Sequence, residues 1–313
     1  MKKRALIAML VVSCLLNAAG ITFFILFLSA QSHVKTLRRN LKKQATNIEI
    51  VKAETNQLNS SDILSRRMFI SHFDGVPDSF AVAPPFLQTP TNAVTLVVYL
   101  HGQSSTFLEP FETGEGKSLG ETIASRKNTV LLSCNYRAPA SWGNEAAMSD
   151  LTQNIREMCQ EYPVTKIVMM GTSMGGSIAP TYATIAPPDI KAKIVGVISV
   201  EGAGDLAALY HQSKMQSVQN AMIASFGGTP ELKPEAYSSR SFLAHLNELP
   251  RGVRLAIVSA LKDTVVPTNL QQEMADSLDK AHIPNKLVKL DIHHEAPPIP
   301  VYSEALDFVL SSD

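Results

Sequence analysis

The sequence predicts an α/β domain built on an eight-stranded, mostly parallel sheet with helices on both faces. Three observations carry the prediction. From Arg67 onward, short runs rich in Val, Ile and Leu alternate with helical stretches, as strands covered on both faces do. The first two runs, residues 68–73 and 79–83, are split by Asp74-Gly75-Val76-Pro77, a turn short enough to make them an antiparallel hairpin. A chain of 313 residues, 45% hydrophobic and 18% charged, also has the material for one large core.

The elements follow in chain order. Residues 5–30 hold no charged side chain, and these 26 residues would rise about 39 Å as a helix, more than the ~30 Å hydrocarbon core of a bilayer. With Lys2-Lys3-Arg4 ahead of that run, residues 1–30 are expected to be a single-pass signal-anchor in contact with membrane lipid. The large domain is then expected on the exported side, periplasmic or extracellular. Lys35, Arg38, Arg39, Lys42 and Lys43 beyond the run oppose this orientation on charge count. Two alternatives stay open: a cleaved signal peptide, for which the apolar run is long, and lipidation at Cys14 within Val12-Ser13-Cys14.

Residues 31–65 are polar, free of Gly and Pro, and read as one helix. Val34, Leu41, Ile48 and Thr55 share one heptad position, and Leu37, Gln44, Val51 and Leu58 share the other. The spacing permits a parallel coiled-coil stalk, and through it a homo-oligomer; a solvated or self-docked amphipathic helix accounts for it as well. Asn59-Ser60-Ser61-Asp62 marks a boundary before the domain of residues 66–313.

After the hairpin, strands are expected at residues 95–100, 129–133, 166–170, 194–200, 254–259 and 286–291. Helices are expected around residues 117–127, 148–161, 177–185, 270–280 and 303–310. In such a sheet, ligands gather beyond the carboxyl ends of the strands. Composition narrows the classes of ligand. Lys plus Arg equals Asp plus Glu at 28 each, so no field favours nucleic acid. Cys14, Cys134 and Cys159 form neither a disulfide framework nor a metal-type spacing; at most one bridge, Cys134 to Cys159, is open to them.

The fifth strand runs into Gly171-Thr172-Ser173-Met174-Gly175, a Gly-x-Ser-x-Gly turn whose small residues let a serine sit on a sharp strand-to-helix bend. The strand at 254–259 leads to Asp263, and the strand at 286–291 leads to His293-His294. Serine, acid and histidine thus fall at three strand ends in one order, and each has a chemical task. A serine hydroxyl is a weak nucleophile, so His294 would take its proton and return it to the leaving group, while Asp263 would orient the imidazole. His293 is the alternative base. Singly, each has an ordinary explanation, since Asp263 could cap a turn. The third strand ends in His101-Gly102-Gln103, where the backbone N–H groups of Gln103 and Met174 could face a developing oxyanion and His101 would brace the turn.

The domain resembles the α/β-hydrolases. The order Ser173, Asp263, His294 is theirs, and Gly228-Thr229-Pro230, Ala236-Tyr237-Ser238-Ser239-Arg240-Ser241 and Lys262-Asp263-Thr264-Val265-Val266-Pro267 are similar to the prolyl oligopeptidase-like and feruloyl-esterase-like branch. The resemblance implies a serine hydrolase working through an acyl-enzyme; no cofactor is expected, since Gly171 to Gly176 lacks the lysine of a phosphate-binding loop. A carboxylic ester is the expected substrate; a short peptide is the alternative, and a hydrolase fold retained for binding alone is another. Around the site, residues 201–249 would form a partial lid, and Tyr136, Trp142 and Glu201 are candidate pocket residues. Trp142 could instead pack against its own loop. Glu201 and Asp205, just past a strand, could in principle replace Asp263. No metal site is expected, since His293, His294 and Glu295 share one loop and no second ligand cluster is visible.

Overall fold

The computed structural model describes residues 64–83, 92–112, 117–137 and 139–311. The expected anchor and nearly all of the expected stalk lie outside the described residues, as does Cys14. Among the described residues, no helix is long and apolar enough to cross a membrane. Ser65, placed at the end of the polar helix by its sequence, opens the first strand instead. The hairpin register that pairs Met68 with Ser79 carries the ladder back to Ser65 opposite Val82.

Eight strands form one sheet: β1 (Ser65–Ile70), β2 (Pro77–Ala83), β3 (Val94–Leu100), β4 (Thr129–Cys134), β5 (Val164–Thr172), β6 (Ile194–Val200), β7 (Arg254–Ala260) and β8 (Asn285–Leu290). Their order across the sheet is β1-β2-β4-β3-β5-β6-β7-β8. β1 pairs antiparallel with β2, and β2 with β4; the remaining pairs are parallel. Between them lie α1 (Leu119–Ala124), α2 (Glu145–Glu161), α3 (Met174–Ile185), α4 (Pro188–Lys191), α5 (Leu206–Gln212), α6 (Gln216–Phe226), α7 (Pro234–Ser238) and α8 (Thr268–Lys280), and α9 (Ile299–Leu310) follows β8.

Two-residue periodicity sends alternate side chains of each central strand to opposite cores. On one face, Leu96, Val98 and Leu100 of β3 join Ile167 and Met169 of β5 under α2, α3 and α8. On the other, Val97 and Tyr99 join Val168 and Met170 under α1 and α9. Burial of each such aliphatic side chain contributes about 1.5–3 kcal/mol, so the mostly apolar composition of β3, β5 and β6 follows from a sheet covered twice.

The chain leaves β3 for β4 on one side and returns to β5 on the other. The gap beyond the carboxyl ends of β3 and β5 is therefore a topological switch point, where a crevice opens. α3 starts there and runs through the interior, with nearly every residue buried. Pro180 inside it cannot donate to the carbonyl of Gly176. The Ser199 hydroxyl of β6 supplies the missing donor, 2.7 Å from Gly176 O.

Residues 201–249 hold α5, α6, α7 and a 3₁₀ segment, Phe242–Glu248. They are tied to the body at several points: Arg240 Nε donates to Gly143 O at 2.6 Å, and Thr181 Oγ1 donates to Arg240 O at 3.0 Å. Cys134 and Cys159 are both free thiols, so the one bridge open to them is not made.

Candidate active site

Ser173 is held at φ 55°, ψ −114°, backbone that L side chains rarely adopt, between the last residue of β5 and the first of α3. Two glycines make the bend fit. A Cβ on Gly171 would lie 2.3 Å from the Gly175 carbonyl carbon and oxygen; one on Gly175 would lie 2.0 Å from Leu100 O. The serine is only half-buried at this crest.

Asp263 and His294 reach the same point because the loops after β7 and β8 are laced together. Leu261 N–H donates to Leu290 O at 2.8 Å, and Lys262 N–H to Ile292 O at 3.0 Å. Asp263 is then clamped: its Oδ1 accepts from Val265 N–H at 2.7 Å and from Val266 N–H at 2.9 Å. Its Oδ2 faces His294 Nδ1 at 2.6 Å, and His294 Nε2 faces Ser173 Oγ at 2.9 Å. A hydroxyl, an imidazole and a clamped carboxylate stand in line. His293, the alternative base, is exposed and stands outside this line.

The His101-Gly102-Gln103 turn adjoins the serine: a Cβ on Gly102 would sit 3.5 Å from Ser173 Cβ. His101 is fully buried, its ring nitrogens facing Gly102 O at 2.7 Å and Asn135 O at 2.9 Å, so it braces the turn. Sequence reasoning missed Glu109. Its Oε2 accepts from Gly102 N–H at 2.9 Å and its Oε1 from Tyr99 O–H at 2.6 Å, tying the turn to β3. Nothing in the local pattern around Glu109 marked it; only the fold brings a 3₁₀ turn under that loop.

Comparison with known proteins agrees with this fold. Residues 97–250 match a family model described as an alpha/beta hydrolase fold. The chain has the α/β-hydrolase fold. Among solved structures, it is similar to an acylaminoacyl peptidase in complex with Z-Gly-Gly-Phe-chloromethyl ketone, at TM-score 0.61 and 16% identity, covering 78% of this chain and 41% of that one. It is similar to a puromycin-hydrolyzing peptidase of Mycobacterium tuberculosis at TM-score 0.61 and 17% identity, covering 80% of this chain and 40% of that one. An S-formylglutathione hydrolase from Staphylococcus aureus matches at TM-score 0.56 and 16% identity, covering 78% of this chain and 95% of that one. The chain thus spans about two fifths of the length of the two peptidases. No curated protein matches it in sequence.

At the end of this sheet, a cavity of about 350 Å³ opens on Ser173 and His294, with Gln103, Glu109, Glu201 and Tyr302 among its lining residues. A larger groove of about 680 Å³ lies elsewhere, between α2 and the end of α3, and includes none of the Ser173 cluster. Of the expected pocket residues, Glu201 lines the cavity and Tyr136 and Trp142 do not. Both aromatics are buried, in a loop that takes positive φ at Tyr136, Arg137 and Trp142 and so turns them inward. Tyr136 O–H donates to His101 O at 2.6 Å. Trp142 Nε1–H donates to Gln103 Oε1 at 3.0 Å, and its backbone N–H meets Met174 Sδ at 3.3 Å. Trp142 therefore braces the two residues whose amides were expected to face an oxyanion. Arg137 pins the loop from below, through ion pairs to Asp74 and Asp150.

Charge around His294 is arranged for an imidazolium. Burial alone would lower its pKa, but the hydrogen bond and charge of Asp263, with the charge of Glu201, leave it raised above 6.5. Burial pushes Glu201 up to about 7, and the Asp263 charge adds to the rise against the opposing pull of His294. Asp205 is occupied elsewhere, its carboxylate capping α5 through the N–H groups of Ala207 and Ala208. Glu201, Asp263 and His294 bring metal-type donor atoms within 4.8 Å of one another. An ion placed there would compete with the short bond between His294 Nδ1 and Asp263.

Proposed function

We propose that this chain is a serine hydrolase that cleaves a carboxylic ester through an acyl-enzyme on Ser173. The observation that carries the reading is the unbroken line from Ser173 Oγ through both His294 nitrogens to Asp263, at 2.9 and 2.6 Å. In this scheme His294 Nε2 accepts the Ser173 proton as Oγ attacks the carbonyl carbon, while Nδ1–H stays bonded to Asp263. The oxyanion forms beside the N–H groups of Gln103 and Met174, each worth roughly 3–4 kcal/mol at the transition state by analogy with measured donors. His294 returns the proton to the departing alkoxide. Water, deprotonated by the same nitrogen, then attacks the acyl carbon; the bond to Ser173 Oγ breaks, Oγ takes the proton back from His294, and the acid leaves.

The likeness to an S-formylglutathione hydrolase, which the chain covers over 95% of that protein's length, supports an ester-type substrate. The second reading, a peptidase, is favoured by the likeness to an acylaminoacyl peptidase holding a peptide chloromethyl ketone. Comparing kcat/KM of the full chain on short acyl esters and on matched aminoacyl amides separates the two. We expect the esters to be preferred beyond their greater intrinsic reactivity; amide hydrolysis as fast as ester hydrolysis would reverse the assignment. Attachment to a membrane on its exported side through residues 5–30 belongs to the same proposal, supported by their uncharged, apolar sequence. A chain that alkaline carbonate strips from membranes would overturn that part.

A further inference from the structure

β6 lies between the strand that delivers the nucleophile and the strand that delivers Asp263, and it ends in a carboxylate of its own. Glu201 follows Val200 directly, and its N–H continues the ladder to Val258 O at 2.8 Å. Its φ of 51° is in the left-handed region, which side chains other than glycine enter at a cost. Next to it, Gly202 packs so closely that a Cβ would lie 2.2 Å from the Gly176 carbonyl carbon, so the bend is wedged against the start of α3. The bend points the Glu201 side chain at the imidazole.

Glu201 Oε2 lies 3.3 Å from His294 Nδ1, the same nitrogen that meets Asp263 Oδ2 at 2.6 Å. The two carboxylates differ in their other oxygen. Asp263 Oδ1 holds two backbone N–H groups, whereas Glu201 Oε1 is buried without a hydrogen-bond partner. Its side chain is 1% exposed. A carboxyl group in such a place needs compensating neighbours: the Glu295 backbone N–H is one, and the cationic form of His294 is another.

We propose that Glu201 is a second orienting acid for His294: a positioning residue that faces Nδ1 beside Asp263 and can hold the imidazole when Asp263 is removed. The proposal rests on the serine hydrolase reading given above. In the resting enzyme Asp263, the nearer acceptor, takes the Nδ1 proton. As the imidazolium forms, both carboxyl groups face the charge. The arrangement makes the loss of either acid smaller than the loss of both.

The test is a double-mutant cycle in the full chain with a short acyl ester: wild type, Asp263→Ala, Glu201→Gln and the double variant, beside Ser173→Ala. Alanine is chosen at 263 because asparagine could present an N–H to Nδ1 and force the wrong tautomer. Removal of an unreplaced orienting acid costs on the order of 10⁴-fold. We expect Asp263→Ala to lose only about 10²-fold in kcat with KM little changed, and the double variant to approach the full ~10⁴-fold loss. A double variant no slower than Asp263→Ala would overturn the proposal. A wild-type chain whose turnover survives Ser173→Ala would instead overturn the hydrolase reading beneath it. Should Asp263→Ala fail to fold, the downfield Nδ1 proton resonance of His294 decides the matter in Glu201→Gln alone: it shifts if Glu201 faces that proton, and an unmoved resonance refutes the idea.

Discussion

Two substitutions at Ser173 separate backbone strain from lost chemistry. Ala and Gly both delete the hydroxyl, so the lost contact with His294 Nε2, at 2.9 Å, is common to both and cancels in the comparison. What differs is the backbone. At φ 55°, ψ −114° an L residue carries about 1–3 kcal/mol of strain, which alanine keeps and glycine sheds. Glycine also gains freedom in the unfolded chain, which offsets about 0.4–1 kcal/mol of that relief. The Gly variant should therefore be the more stable by about 1 kcal/mol, equivalent to about 2–4 °C in Tm for a domain of this size. Thermal and urea unfolding of the two variants side by side measure it, with turnover abolished in both. An Ala variant as stable as the Gly variant would show that the elbow is not strained, and the account of Ser173's placement would be wrong.

Other perturbations probe the surroundings. Gly175→Ala puts a methyl 2.0 Å from Leu100 O and 2.8 Å from His101 O. β3 and α3 must separate, so stability should fall by about 1–3 kcal/mol or more, with ester turnover lost; native-like melting and turnover would contradict the packing. Trp142→Phe removes the donor to Gln103 Oε1 and should lower kcat roughly tenfold with KM little changed. A raised KM at constant kcat would mean that the ring touches substrate after all. His294 must be neutral to accept the serine proton, so kcat/KM should fall on acidification through a limb above 6.5. Without Asp263, burial prevails and the limb should move to lower pH; an unmoved limb would dissociate Asp263 from the base. The linked stability has the opposite sense. Because the folded pKa is raised, the stabilisation is complete below 6.5 and is lost as pH climbs through the folded value.

The strands and the sharp bend at Ser173 were legible in the sequence because both write themselves locally. Runs such as Val94–Leu100 are buried on both faces and need no alternation, and Gly171 and Gly175 flank the one serine that a bend of this sharpness accommodates. Helix starts were less legible. α2 begins at Glu145, not Met148, because Asn144 caps it by accepting from Ala147 N–H at 3.0 Å. The partners that depend on strand order were hidden. Glu201 approaches His294 only because β6 adjoins β7 and bends through a positive φ, and Glu109 reaches Gly102 only because a 3₁₀ turn packs beneath β3. The inward set of Trp142 rests on a loop with several positive φ values, which residue types such as Tyr136 and Arg137 do not announce.

The most direct test of the central claim is covalent capture of the nucleophile. The full chain is treated with a fluorophosphonate, digested, and the modified residue is located by peptide mass, with Ser173→Ala and His294→Ala treated in parallel. The account predicts a single adduct on Ser173, absent from Ser173→Ala and formed far more slowly in His294→Ala. A folded wild-type chain that acquires no adduct, or acquires it on another serine, would contradict it.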